Sequence, residues 1–331
     1  MTITISGIKL DPPVFLAPMA GVTDAPSRAV AQLFDPGLVV SEMIASSEMD
    51  REYFIKKVKS SLSVNYNQKA GCPTSVQISG HQRNWLSECA KIIEIEGGAM
   101  IDINMGCPAK KIVGRLAGSG LMKNVDDAIR IIDSIVLSTS LPVSLKMRLG
   151  WDEKSIVGPE IARRAQNSGI QLITVHGRTR NQFFKGKADW RAVKKIKDCV
   201  SIPVVVNGDI IDLDSALTAI SESKADGVMI GRAAIGRPWF LKEISNSLFS
   251  KDKQKIGEID LDILIAEHLQ SIIEFYNERT GLLIFRKHLA AYLKNLKIDK
   301  ELGKEALKEN SLSVLFKKIN YIFKNQKLRI V

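Results

Sequence analysis

Between residues 14 and 232 the chain alternates, again and again, between short apolar runs rich in β-branched residues and stretches with helical spacing. The runs are Val14–Ala17, Leu38–Ser41, Ser75–Ser79, Met100–Asn104, Val143–Met147, Leu172–His176, Val204–Asn207 and Gly227–Gly231, eight in all. The clearest helical stretches are Arg83–Glu96, Val125–Leu137, Gly158–Ser168, Trp190–Lys197 and Leu213–Glu222. Strands that alternate with helices require crossover connections, and these produce a parallel sheet. Eight such units predict an α/β fold, a closed (β/α)8 TIM barrel. An open doubly wound sheet is the alternative, but it normally begins with a GxGxxG turn after the first strand. Here that turn reads Ala17-Pro18-Met19-Ala20-Gly21.

With 331 residues the chain has room for a barrel and a smaller unit. The charged, turn-rich stretch at 250–260 marks the boundary, with residues 1–250 as the barrel and 251–331 as an all-helical domain. Apolar residues at helical spacing place helices at Leu261–Thr280, Leu282–Leu296, Leu302–Asn310 and Val314–Asn325. A hairpin-like lead ends at Asp11-Pro12-Pro13, and residues 45–74 are expected to hold a helix and an irregular lobe. No window approaches twenty uninterrupted apolar residues, and the N-terminus lacks a basic segment followed by an apolar one; both argue against a membrane or secretory role. The four cysteines are far apart, with no Cys-x-x-Cys pair, which argues against a zinc or disulfide framework and fits a reducing cytoplasm. Net charge is +11, and residues 284–331 carry 12 Lys/Arg against 4 Asp/Glu, a balance of +8. That is either a solvated basic face or a surface for a polyanion, above all nucleic acid.

Barrel enzymes place their chemistry at the C-terminal ends of the strands. Those ends carry Pro18, Met19 and Ala20; Ser41, Glu42 and Met43; Gln77; Asn104 and Cys107; Lys146 and Arg148; His176 and Arg178; Asn207, Gly208 and Asp209; and Gly231 and Arg232. Gln77, Asn104 and Lys146 interrupt apolar strands, so each needs a ligand or a hydrogen-bond network to offset its burial. A heterocycle rich in carbonyls and ring nitrogens would satisfy all three; for Lys146 the alternative is a strand-end ion pair with Glu42 or Asp102. The glycines after strands seven and eight allow backbone N–H groups to approach an anion, and a short helix after Gly231 would add its dipole. Arg148 and Arg178 could meet a nucleotide phosphate or base edge, or sit in ion pairs. Cys107, between a glycine and a proline just past a strand, can be read as nucleophile, metal ligand, general acid or inert thiol. No Cys or His stands close enough in sequence to support the metal reading.

These residues sit in runs that resemble one family, the bacterial tRNA-dihydrouridine synthases, and most closely its B branch. The runs include APMAGVTDAP (17–26), VQISG (76–80), DINMGCPAKK (102–111), LKMRLGW (145–151), TVHGRTR (174–180), NGDI (207–210), MIGRAAIGRPW (229–239) and FRKH (285–288), in order along nearly the whole chain. The resemblance implies an FMN-binding catalytic barrel, a helical tRNA-binding domain and NADPH-dependent reduction of the C5–C6 bond of uridines in the tRNA D-arm region. It implies that Pro18, Met19, Ala20, Gln77, Lys146, His176, Asn207, Gly208, Asp209, Gly231 and Arg232 hold FMN. It further implies that Cys107 donates the proton, and that Asn104, Arg148, Arg178, Arg286 and Lys287 meet the substrate. The expected protein is a cytoplasmic monomer with tRNA as its partner, no membrane contact and no metal. Two places depart from the family pattern: Leu282-Leu283 stands where a Tyr-Arg pair is common, and Ala291-Tyr292 where Trp-Tyr is. Two other readings stay open, a flavin barrel acting on a free pyrimidine or small enone, and an RNA-binding regulator without catalysis.

Overall fold

The computed structural model describes residues 2–45, 50–63, 71–114, 116–250, 256–324 and 327–330. The chain opens with the hairpin β1 (Ile3–Ile5) and β2 (Ile8–Leu10), followed by β3 (Val14–Leu16), α1 (Ala25–Gln32) and β4 (Leu38–Val40). A two-residue β5 (Ile44–Ala45) and α2 (Arg51–Leu62) precede β6 (Thr74–Ser79), α3 (Arg83–Ile95), β7 (Met100–Met105) and the single-turn α4 (Lys110–Val113). Next come α5 (Val125–Val136), β8 (Val143–Arg148), α6 (Gly158–Asn167), β9 (Leu172–His176) and α7 (Trp190–Lys197). The barrel finishes with β10 (Val204–Asn207), α8 (Leu213–Ser223), β11 (Gly227–Ile230) and α9 (Phe240–Leu248). Beyond it lie β12 (Ile256–Asp260), α10 (Leu261–Tyr276), α11 (Glu278–Asn295), α12 (Lys300–Lys308), α13 (Leu312–Phe323) and β13 (Lys327–Ile330).

The parallel strands run in the order β4-β3-β11-β10-β9-β8-β7-β6, and pairing of β4 with β6 closes the circle. Each of the eight apolar runs is a barrel strand, so the (β/α)8 reading holds. Strand parity sorts the side chains. Ile101, Ile103, Leu145, Met147, Ile173, Val175, Val204 and Val206 belong to the apolar layer shared with the surrounding helices. The alternate positions point inward. At the N-terminal end of the barrel they are Phe15, Leu38, Met100, Leu172 and Val205, and Ile3, Ile5 and Leu10 of the hairpin plug them from below. Toward the C-terminal end the inward positions turn polar, with Gln77, Asp102 and Ser144 in one register layer and Asn104, Lys146 and Thr174 in the next. Side-chain caps fix several helix starts on that same face: Asp24 for α1, Asn124 for α5, Asp189 for α7, and Asp212 with Ser215 as a capping box for α8.

Helices α10–α13 share a second apolar core, which takes in Val30 and Phe34 of the barrel's α1 region and Trp239. Ser27 Oγ lies 3.2 Å from His268 Nε2 and 3.3 Å from His288 Nε2, and His268 Nδ1 lies 3.1 Å from the Tyr292 hydroxyl. Burial holds both imidazoles below their ordinary range, His288 at about 4. Gly236 allows the loop after β11 to touch α11. A Cβ there would stand 2.3 Å from the Ala291 carbonyl carbon and 2.6 Å from Ala291 Cβ. The small residue at the Ala291 departure therefore lets two backbones meet.

Three local expectations change. The break between the first two helices of the C-terminal segment falls at Asn277, not beside Gly281. Asn277 caps α11, its side chain accepting from Thr280 N at 3.1 Å, whereas Gly281 lies inside the helix because a Cβ would come 2.8 Å from Ile273 Cδ1. The segment also contains strand: β12 and β13 pair antiparallel across its two ends. The helix expected after Gly231 is a three-residue 3-10 turn, Arg232–Ala234, too short to carry much dipole. Residues 46–49 and 64–70 of the expected lobe, residues 251–255 of the boundary stretch and Asn325 lie outside the described residues.

Candidate active site

At the C-terminal mouth of the barrel the polar inward layers form the floor of a cavity of about 390 Å³. The floor is a connected network. Gln77 donates from Nε2 to Asp102 at 2.7 Å and accepts from Asn104 Nδ2 at 2.8 Å. Ser144 donates to the other Asp102 oxygen at 2.6 Å. Both Asp102 oxygens accept, the bonding pattern of an ionised carboxylate, although burial pushes its pKa up. Gln77 and Asn104 are therefore satisfied in part by protein, with their remaining capacity facing the cavity. Lys146 Nζ donates to Asn207 Oδ1 at 3.1 Å, and Asn207 in turn donates to the Met229 carbonyl at 2.8 Å. Burial pulls Lys146 down to about 8; the Asp102 charge works against that shift and Arg148 adds to it. The ion-pair alternative for Lys146 gives way to this amide contact, with Asp102 acting as a nearby charge.

Cys107 is half-buried on the rim, and its backbone is held from both sides. Asn104 Oδ1 accepts from Cys107 N at 2.9 Å and Gly106 N at 3.2 Å, a turn that reverses the chain right after β7. The Cys107 carbonyl accepts from Ser119 N and Ser119 Oγ. Gly118, at φ +56, makes this second clasp possible: a Cβ would lie 3.2 Å from Cys107 Cβ. Asn104 thus joins the floor network to the thiol-bearing turn.

The arginines are engaged mainly with protein rather than open to substrate. Arg148, 2% exposed, lines the cavity but gives Nε to the Gly106 carbonyl and Nη1 to those of Thr179 and Phe183. Arg178, equally buried, stands behind the cavity wall, bonded to the Lys185 and Gly186 carbonyls and paired with Asp209. His176, Asn207, Gly208, Asp209, Gly231 and the exposed Arg232 form one side of the mouth, and Pro18, Met19 and Ala20 the other. Arg286 and Lys287 do not line the cavity. Arg286 Nη2 reaches Asn310, and Lys287 Nζ donates to the carbonyl of Gly21, whose N–H donates to Glu42.

Sequence reasoning passes over several cavity residues. Phe184 is exposed at the mouth, with its ring 6.4 Å from that of His176 and guanidinium groups of Arg232 and Arg148 at 5.1 and 5.7 Å. Ile211 and Ile235 complete an apolar lip with Met43, which the sequence places at the end of the second strand without a role. Only the adjacent phenylalanines at 183–184, in an otherwise polar loop, mark this lip in the sequence. Ser144, which helps organise the floor, reads in the sequence as an ordinary strand residue, and Asp102 is read there only as a possible ion-pair partner of Lys146.

The chain is similar to a probable tRNA-dihydrouridine synthase of Rhodobacter capsulatus, at 48% identity over 88% of this chain and 89% of that protein. It is also similar to one from Rickettsia bellii (41%, 89% of each chain) and to the tRNA-dihydrouridine synthase B of Xanthomonas axonopodis pv. citri (41%, 88% and 86%). Among solved structures, histamine dehydrogenase from Rhizobium sp. 4-9 superposes with a TM-score of 0.56 at 14% identity. That match covers 82% of this chain but only half of the dehydrogenase, and it bears on the fold alone. The dihydrouridine synthase profile matches residues 15–325, from the first barrel strand through the last helices, and the chain belongs to that family.

Proposed function

We propose that the protein is a flavin-dependent tRNA-dihydrouridine synthase, an oxidoreductase that reduces the C5–C6 bond of uridines in the D-arm region of tRNA with NADPH as reductant. The observation that carries the reading is the joining, through Asn104, of a polar cavity floor to a rim thiol. The residues present fit FMN. Gln77, Asn104 and Lys146 offer donors and an acceptor to a carbonyl-rich ring, and Met19, Ala20 and Met43 offer apolar surface to its face. A Cβ at Gly231 would project between Ala17 Cβ at 3.7 Å and Met19 Sδ at 3.8 Å, so glycine keeps that space clear. Asn207, Gly208 and Arg232 would hold the phosphate end.

When bound, the flavin supplies the hydride. The chain's own residues supply the rest. Lys146, protonated at neutral pH, places a fixed positive charge where negative charge gathers. Hydride addition at uracil C6 leaves C5 needing a proton, and the Cys107 thiol donates it. Asn104 holds the turn that aims the thiol. The target base must leave its stack to enter the cavity, and stacking against Phe184 and Met43 would offset part of that cost. Residues 251–331, with α10–α13 at their centre, serve as the RNA-binding unit, their basic excess meeting the phosphate backbone in a reducing cytoplasm.

The test is direct. Purified protein should be yellow, and tRNA from cells lacking it should lose dihydrouridine at particular positions. Cys107→Ala should keep the bound chromophore and lose about 10²- to 10⁴-fold in product formation. A colourless, folded protein, or a Cys107→Ala variant as active as the parent, would sink the reading. Activity on free uracil but not on tRNA would favour a small-molecule reductase.

A further inference from the structure

We propose that Arg178 is a positioning residue that fixes His176 as the neutral Nδ1–H tautomer, so that His176 only donates into the cavity and takes no part in proton transfer. This deepens the functional reading above and rests on it for the identity of the ligand. The tautomer itself follows from the protein alone.

Arg178 Nη1 lies 3.2 Å from His176 Nε2. A guanidinium carries only N–H donors, so the nitrogen it meets must present a lone pair. The single hydrogen of the neutral ring then sits on Nδ1. Arg178 cannot turn away, because its other donors are held: Nε by the Lys185 carbonyl at 3.1 Å, and Nη2 by the Gly186 carbonyl at 2.7 Å and by Asp209. Asp209 is itself anchored, its Oδ2 accepting from Ala188 N at 2.8 Å and its backbone at φ +54. Gly208 closes the same edge of the imidazole; a Cβ there would stand 2.7 Å from His176 Cδ2 and 2.9 Å from Nε2. The Nε2–Cδ2 edge of the ring therefore faces protein. His176 lines the cavity, so the Nδ1 side is the edge offered to a ligand.

Charge points the same way. Burial lowers the His176 pKa well below its usual value, and Arg148, Lys146, Arg178 and Arg232 add to the effect. Asp209 is the acid in this group, and Arg178 and Arg232 both bind it. A neutral donor surrounded by cations selects an acceptor on the ligand, a carbonyl oxygen or an unprotonated ring nitrogen. It also leaves Cys107 as the proton donor, because a histidine locked in this way has no proton to give near pH 7.

The experiment uses full-length protein with 15N-labelled histidine and long-range 1H–15N correlation, which separates the two tautomers. The chain has four histidines, and His176→Gln assigns the signal. Expected is a bare Nε2 and a protonated Nδ1 at residue 176, unchanged from about pH 5.5 to about pH 8.5. In Arg178→Met the ring should stay neutral, because burial, Arg148 and Lys146 still lower its pKa, but it should gain the other tautomer. Turnover should fall about tenfold, the loss of one hydrogen bond, with the shape of its pH profile unchanged. Arg178→Lys, which keeps a donor, should recover part of the tautomer signal. An Nε2–H tautomer or a charged ring in the parent protein at pH 7 would overturn the proposal, and this measurement decides even if Arg178→Met does not fold. A colourless protein that nonetheless shows the Nδ1–H ring would uphold this inference while removing the flavin reading.

Discussion

Lys146 and Asp102 are buried charges that the fold tolerates because each keeps partners, and their pH behaviour follows. In the unfolded chain Lys146 holds its proton up to about 10.5, and in the folded, cofactor-free chain only up to about 8. Between those values the unfolded state binds more protons, so stability rises with pH across that window. Denaturant titrations of apoprotein should show this rise, and Lys146→Met should remove it. Activity that depends on the cation should fall as pH climbs through about 8 in the parent. In Asp102→Asn the loss of the neighbouring negative charge should move that midpoint to lower pH and cost about 1–3 kcal/mol of stability. An unmoved midpoint would show that Asp102 does not support the lysine. Gln77, Asn104 and Lys146 are legible as site residues because a polar side chain inside an apolar strand needs a reason. The destination of Arg178 is not legible, since the carbonyls at 185 and 186 come from an irregular loop with no sequence mark and Asp209 meets it only after the β9–α7–β10 crossover has folded.

Among the elements, the barrel strands are read to within about a residue because their period, their β-branched content and their flanking turns all agree. The C-terminal helices are read less well where one residue type has two uses. Gly281 looks like a breaker and is a close-packing residue, and Asn277 carries the break through its cap and its φ of +91. Asn277→Ala should cost about 1 kcal/mol by loss of the cap, and Asn277→Gly less, since glycine accepts that backbone conformation freely. A urea midpoint that is lower for Gly than for Ala would contradict this. The pairing of β12 with β13 has no local mark, because the partners are separated by four helices. Gly236→Ala is the sharper probe of how α11 meets the barrel. The added methyl runs into the Ala291 backbone, and destabilisation of about 2–4 kcal/mol is expected, with the emission of the nearby Trp239 changing first.

For the whole molecule the net charge of +11 sets the terms of association with a polyanion. Lys294 and Lys297 are both exposed, and neither lines the cavity. Replacing both with Gln should weaken tRNA binding for all sequences alike. The slope of log affinity against log salt should shrink by about one for each phosphate that is no longer neutralised. Turnover at saturating tRNA should stay level; a fall in turnover with unchanged binding would place these lysines in a different role. Among the described residues no helix is long and apolar enough to cross a membrane. Truncating the helical segment would be a poor test of its role, because Val30, Phe34 and Trp239 share its core and would be stripped bare.

The change from apolar to polar along the barrel axis separates two tasks by height, like the storeys of a building. Leu38, Met100 and Leu172 occupy the lower storey with the plugging hairpin, while Gln77, Asp102 and Lys146 occupy the upper one. Wear on one floor should leave the other in use. Trimming a foundation side chain such as Leu172 should lower the melting point and leave the colour and chemistry of the surviving molecules intact, so the reaction can diversify upstairs without rebuilding what supports it.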